Sequence, residues 1–261
     1  MSETLVDGHV HFHDGFSLPT FLAATASNVA RCQSTTDLQV DVAVLLLAQI
    51  SESNPLQCIR ESVESVTHEW SVAEVDSTSI IFRHDSKPTI VLVAGRQIVT
   101  QERLELLSLC SDAVIDPGKP LVDSIAATVD GGGVPVLPWG FGKWTSVRGR
   151  VVRKLIEQTQ ATAPFLLGDN GCRARSLRPK LLKRGEELGI PVLAGSDPLP
   201  IASHVTRPMS FGSRLNSSID LDAPTQWTKE RLFELSRSPA TVGQCRTVVQ
   251  FILDQVKLRL R

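Results

Sequence analysis

Between residues 101 and 194 the chain alternates, four times over, a stretch of helical apolar spacing with a short apolar run. The spacing predicts helices over 101–109, 121–129, 147–159 and 179–188, each leading into a strand, at 112–115, 134–137, 164–167 and 190–194. Joints this short between helix and strand favour parallel neighbours linked by right-handed crossovers. That leaves two main architectures, a closed barrel and an open doubly wound sheet.

The flanking segments extend the pattern. Residues 40–48 are almost continuously apolar and rich in branched side chains, as a strand covered on both faces should be. Helical spacing recurs at 17–32 and 55–66. The stretches 69–75, 79–83 and 89–94 are β-prone and separated by turn chemistry such as His84-Asp85-Ser86-Lys87-Pro88, which predicts a small antiparallel meander whose last strand joins the main sheet. Counting the early strands brings the parallel set to about seven, with an eighth candidate at 209–215. Polar residues recur at the carboxyl ends of these strands, and no GxGxxG follows the first of them. The expected fold is therefore α/β: a (β/α) TIM-like barrel, distorted or seven-stranded, with the antiparallel insertion at 69–94, in one domain over 1–261. The tail, 228–261, reads as two helices, with an apolar stripe of Val248, Val249, Ile252, Leu253, Val256 and Leu260 packed on the outside of the barrel.

Three of the six histidines fall at positions 9, 11 and 13. On a strand, side chains alternate between faces, so His9, His11 and His13 project the same way. Two imidazoles on one rigid segment are half of a typical divalent metal site. If parallel strands converge at their carboxyl ends, His9 and His11 share a mouth with Asp116, Trp139, Asp169 and Asp197. Asp197, after the run 192–196, is placed to ligate a metal and to take a proton from its water.

These residues carry a resemblance. Asp7-Gly8-His9-Val10-His11 resembles the HxH signature on the first strand of the amidohydrolase superfamily and of the related PHP-type phosphoesterases. Gly195-Ser196-Asp197-Pro198 resembles the segment that carries the amidohydrolases' last metal-ligating aspartate. The resemblance implies a (β/α) barrel with one or two divalent ions, zinc, manganese or similar, that activate water to hydrolyse an amide, ester or phosphoester. It assigns His9, His11 and Asp197 as metal ligands. Such enzymes add histidines from two middle strands, whereas no histidine lies between His84 and His204 here, so the shell would draw on His13, Asp116, Asp169 or His204.

A second signal is charge. The window 143–184 holds eleven Lys and Arg against only Glu157 and Asp169. Most of these are expected on solvated helix faces, but Lys143, Arg173 and Arg175 follow strand ends, where they suit a phosphate or carboxylate. Trp139-Gly140-Phe141-Gly142-Lys143-Trp144 adds indoles that stack on a ring and glycines that admit a ligand close to backbone.

The reading is a metal-dependent hydrolase acting on a small anionic substrate. His9, His11 and Asp197 bind the metal, Asp197 and Asp169 serve as catalytic carboxylates, and Trp139, Lys143, Arg173 and Arg175 bind substrate. Its alternative is a barrel without a catalytic shell that binds a small anion or a protein partner. A net charge of −1 excludes a global field for nucleic acid or an anionic membrane, so neither is an expected partner. Five scattered cysteines without a CxxC pair exclude a disulfide framework and a thiolate zinc knuckle. With no leader and no bilayer-length apolar run, a cytoplasmic location is expected, and a homo-oligomer is compatible with everything above.

Overall fold

A computed structural model of the chain describes residues 3–36, 40–50, 54, 56–158 and 163–260. The predicted helix ends at Pro55 and Thr159 lie outside them. In chain order the elements begin with β1 (Glu3–Val10), α1 (Leu18–Thr36), β2 (Val40–Leu47), α2 (Gln57–Ser62), β3 (Ser71–Asp76), β4 (Ser79–His84) and β5 (Lys87–Val93). A second run holds β6 (Gly95–Val99), β7 (Glu105–Leu109), α3 (Leu121–Asp130), β8 (Val134–Pro138), α4 (Ser146–Glu157), β9 (Leu166–Asn170), α5 (Lys180–Glu187) and β10 (Val192–Gly195). The chain closes with β11 (Phe211–Leu215), α6 (Pro224–Phe233), β12 (Ala240–Gly243) and α7 (Val248–Arg259).

The strands form two mixed sheets. One has seven strands in the order β12-β11-β1-β2-β5-β4-β3, the other five in the order β10-β9-β8-β7-β6. β1, β2 and β5 are mutually parallel, as are β8, β9 and β10, while β11, β12, β3, β4, β6 and β7 all pair antiparallel. The sheets lie face to face. β2 shows why: Ala43, Leu45 and Leu47 join an apolar layer under α1, whereas Val44 and Leu46 join a second layer shared with Leu107, Leu109, Val136 and Leu193 of the other sheet. A third layer, with Ile125, Val152 and Leu182, seats α3, α4 and α5 on the far side of the five-stranded sheet.

The expected closed barrel is therefore incorrect. A (β/α) barrel needs every strand parallel at a common tilt. Here antiparallel β7 reverses direction between β6 and β8, and β11 with β12 reverses it beside β1. The error began at 101–109, read as a helix but forming β7 in its second half. As a strand the segment buries Leu104, Leu106, Leu107 and Leu109 to 1% exposure or less, on both faces of one sheet. Each such Leu contributes roughly 1.5–3 kcal/mol, more than the ~0.7 kcal/mol per residue that spans ordinary helix propensities. Residues 112–115, read as a strand, are irregular.

The tail also differs from expectation. Its apolar stripe is turned outward, with Val248, Val249, Ile252, Leu253, Val256 and Leu260 all between 46% and 82% exposed. The one fully buried residue of α7 is Asp254, bonded by both carboxylate oxygens to Arg246.

Candidate metal centre

β1 carries Asp7 and His9, with an irregularity in its pairing between Asp7 and Val10, and the chain runs on from its end to His11. Asp7 is fully buried and accepts from the backbone N–H groups of Ser196 at 2.7 Å, Met209 at 2.8 Å and His9 at 3.3 Å. Burial pushes its carboxyl up to about 6, against those donors. Asp7 thus ties the end of β1 to the turn after β10 and to the start of β11.

That turn delivers Asp197. Its backbone adopts φ +45°, a left-handed conformation that a non-glycine residue holds only when its surroundings impose it. Its N–H donates to the His9 carbonyl at 2.8 Å. The Nε2 atoms of His9 and His11 lie 3.0 Å apart, and Asp197 Oδ1 stands 3.7 and 3.6 Å from them. All three residues are buried, and their ligand atoms lie within 4.8 Å of one another.

The protonation states suit a metal. Burial and the neighbouring His9 hold the His11 imidazole down to about 3, so its lone pair is available. Burial raises the Asp197 carboxyl, but His9, His11, Asn170 and Arg207 together outweigh it and keep the group below the usual carboxylate range. Asn170, at the end of β9, orients Asp197. Its amide oxygen accepts from Cys172 N–H at 2.7 Å, which turns its NH2 toward Asp197 Oδ2 and leaves Oδ1 for the imidazoles. Gln97, from β6, bonds the His11 side chain. Two imidazoles and a carboxylate are a donor set for a divalent ion, and residues in contact with them fix their orientation.

The cluster opens into a cavity of about 490 Å³. Trp139 and Lys143 line it, with Glu105 from β7 and with Phe251 and Gln255 of α7. Lys143 Nζ is ion-paired to Glu105. Of the remaining sequence-picked residues, His13 lines the same cavity, its ring stacked on that of His11 with 5.2 Å between centroids, and the others are placed elsewhere. Asp169 and Arg173 are buried against each other in a two-pronged ion pair, 2.6 Å from Nε to Oδ1 and 2.7 Å from the guanidinium to Oδ2. The Arg175 side chain faces solvent. His13 bonds the Pro198 carbonyl at 2.7 Å, Asp116 pairs with Lys119 at the surface, and His204 Nε2 sits 3.2 Å from Asp254.

Asn170, Gln97, Asp7 and Glu105 escaped sequence reasoning. Asn170 follows Asp169 directly, and the alternation of a strand end points only one of the two at the cluster. Gln97 and Glu105 were hidden because β6 and β7 were not recognised as strands.

No protein-family model matches the chain, and no curated protein does. Among solved structures it is similar to PsfC from Pseudomonas syringae PB-5123, at 14% identity and a TM-score of 0.57 over 99% of both chains. It is also similar to endonuclease Q in complex with a 27-mer duplex substrate carrying an abasic lesion, at 13% identity and a TM-score of 0.46. A third similarity is to PfuEndoQ, a lesion-specific endonuclease from Pyrococcus furiosus, at 13% identity and a TM-score of 0.43. The match covers 87% of this chain but only 56% and 55% of those two chains, so it spans about half of each. The expectation of no nucleic-acid partner does not stand. It rested on net charge, which averages over the surface and is blind to local clusters of cations. Among the described residues no helix is long and apolar enough to cross a membrane. At these identities the likeness is one of fold, and in this chain that fold is an α/β architecture of two mixed sheets.

Proposed function

We propose that the chain is a metal-dependent hydrolase acting on an anionic substrate, with an amide, ester or phosphoester bond as its target. The observation that carries this reading is the convergence of His9, His11 and Asp197 at the floor of a cavity large enough for a small molecule or one residue of a polymer. The resemblance of Asp7-Gly8-His9-Val10-His11 and Gly195-Ser196-Asp197 to amidohydrolase and PHP-type motifs supports it.

His9 and His11 would hold the ion through Nε2 and Asp197 through Oδ1. A divalent ion there supplies Lewis acidity, acidifying water and drawing charge from the bond under attack. Burial keeps His11 unprotonated, so it is a ligand at neutral pH and not a competing cation. Asp197 would be the carboxylate beside the ion and would take the proton of the metal-activated water, while Asn170 holds its Oδ2 in place. Trp139 offers an apolar wall, and Lys143, on exchanging Glu105 for the substrate, offers the anion a positive charge. Asp169 is left out of the chemistry, since both its oxygens are engaged by Arg173.

Purified protein loaded with zinc or manganese and dialysed should retain about one equivalent of metal. His9→Ala and Asp197→Asn should retain none and should lose hydrolysis of a chromogenic phosphodiester or ester. A wild-type protein that retains no metal at all, while folded, would refute the reading and favour a non-catalytic anion binder.

A further inference from the structure

The basic window between Lys143 and Arg184 is not explained by the metal centre. Many of its cations are already neutralised or occupied: Lys143 by Glu105, Arg173 by Asp169, Arg178 by Glu186, Arg184 by Glu187, and Arg148 by the Gly142 carbonyl. Three that are not, Arg150 and Arg153 on α4 and Lys180 at the start of α5, converge on a second cavity of about 530 Å³ between those helices. Among the described residues none of the three has a hydrogen-bond or ion-pair partner, and no carboxylate lines the space.

The remaining wall combines three aromatic residues with glycines, two hydroxyl residues, Leu177, Pro179 and Leu181. Trp144 forms part of the floor at 7% exposure, Phe141 stands at the mouth at 51%, and Trp139 separates this cavity from the one above the metal centre, lining both. A Cβ on Gly149 would stand 2.7 Å from the Trp144 carbonyl, so the first turn of α4 closes tightly on the segment that carries Trp144.

We infer that this second cavity binds a phosphate monoester carrying a flat ring, a nucleoside monophosphate being the matching size and chemistry. Three unneutralised cations at one mouth call for a dianion, which a phosphate monoester is near neutral pH and a monocarboxylate is not. Two arginines present the planar fork that grips phosphate oxygens in pairs. The half-exposed Phe141 ring, beside the buried indoles of Trp139 and Trp144, supplies a flat surface on which a base can stack and which an inorganic ion would leave unused. The inference does not depend on the metal-centre reading, because none of the three cations belongs to that cluster.

The test is equilibrium binding by calorimetry or tryptophan quenching, with adenosine 5′-monophosphate, adenosine and inorganic phosphate as separate probes. The full chain would be compared as wild type, as the Arg150→Ala/Arg153→Ala double variant and as His9→Ala. Both arginines are exposed, so the double variant should fold, which circular dichroism checks. The monophosphate should bind wild type at least about tenfold more tightly than either fragment alone, since each fragment lacks half of the contacts. The double variant should weaken it by about tenfold or more, and His9→Ala should leave it unchanged. No saturable binding of the monophosphate to wild type would overturn the inference. So would equal binding by the double variant, or a loss confined to His9→Ala, which would place the phosphate at the metal centre instead.

Discussion

Asp197 and His9, 188 positions apart, are joined backbone to backbone: the Asp197 N–H donates to the His9 carbonyl at 2.8 Å, one step beyond the point where β10 touches β1. The contact is close because Gly195 has no side chain. A Cβ there would stand 2.4 Å from the His9 backbone nitrogen and 2.6 Å from the His9 Cβ. Gly195→Ala should therefore push the two strand ends apart, costing about 1–3 kcal/mol as overpacking does, and should abolish metal retention. Denaturant unfolding and metal analysis of the same sample check both. A variant with unchanged stability and full metal would show that the strand ends tolerate separation.

Asn170 controls one oxygen of Asp197. Asn170→Ala removes the donor to Oδ2 and leaves the carboxylate free to rotate, so metal affinity should fall about 10- to 100-fold with the fold intact. Competition against a chelator of known affinity measures this. Asn170→Asp should be worse, because a second carboxylate would repel the first.

For Asp169 the expectation concerns stability more than rate. Its pair with Arg173 is buried on both sides, and breaking a buried pair by neutralising one member costs about 3–5 kcal/mol, since it strands the other charge. Asp169→Asn should lower the unfolding midpoint, while turnover per folded molecule stays within about threefold of wild type, the scatter expected for a group outside the chemistry. A stable variant with turnover abolished would return Asp169 to the chemistry.

The anchor of α7 makes a pH-dependent prediction. Burial raises the Asp254 carboxyl, but His204 and Arg246 outweigh it and hold the group down to about 2, against 3.8 for an unperturbed aspartate. A carboxyl depressed in the folded state contributes stability that is fully present above pH 4 and is lost as pH falls toward 2. The shift corresponds to roughly 2 kcal/mol. Wild type should therefore exceed Asp254→Asn in thermal stability by a constant margin from pH 7 to about 4.5, and the margin should shrink below pH 4. A margin that does not change with pH would mean the ion pair contributes nothing through charge.

Several features were legible in the residues themselves. The alternation of His9 and His11, the doubly buried run of β2 and the segments that became α3, α4, α5, β8 and β10 follow from spacing, because periods of 2 and 3.6 are local properties of the backbone. The 104–109 run was not legible. Four leucines at that spacing suit either period, and only a second sheet on one face and helices on the other decided for the strand. The apolar stripe of α7 failed differently: its spacing is helical, as read, but the helix is held by Asp254 and shows that stripe to solvent.

By itself, then, the sequence determined which side chains share a face of one element, since that is set by the dihedrals of a few consecutive residues. It placed two imidazoles on one side of the first strand and a carboxylate just past a short apolar run near residue 197. Only the tertiary structure decided that the strands divide into two facing sheets, that Asp197 meets His9 and His11, that Asn170 and not Asp169 faces them, and that Arg150, Arg153 and Lys180 gather at one mouth. Those outcomes depend on strand order, strand direction and close backbone packing, which are set by competition among distant segments for the same buried surface and leave no periodic mark on the chain.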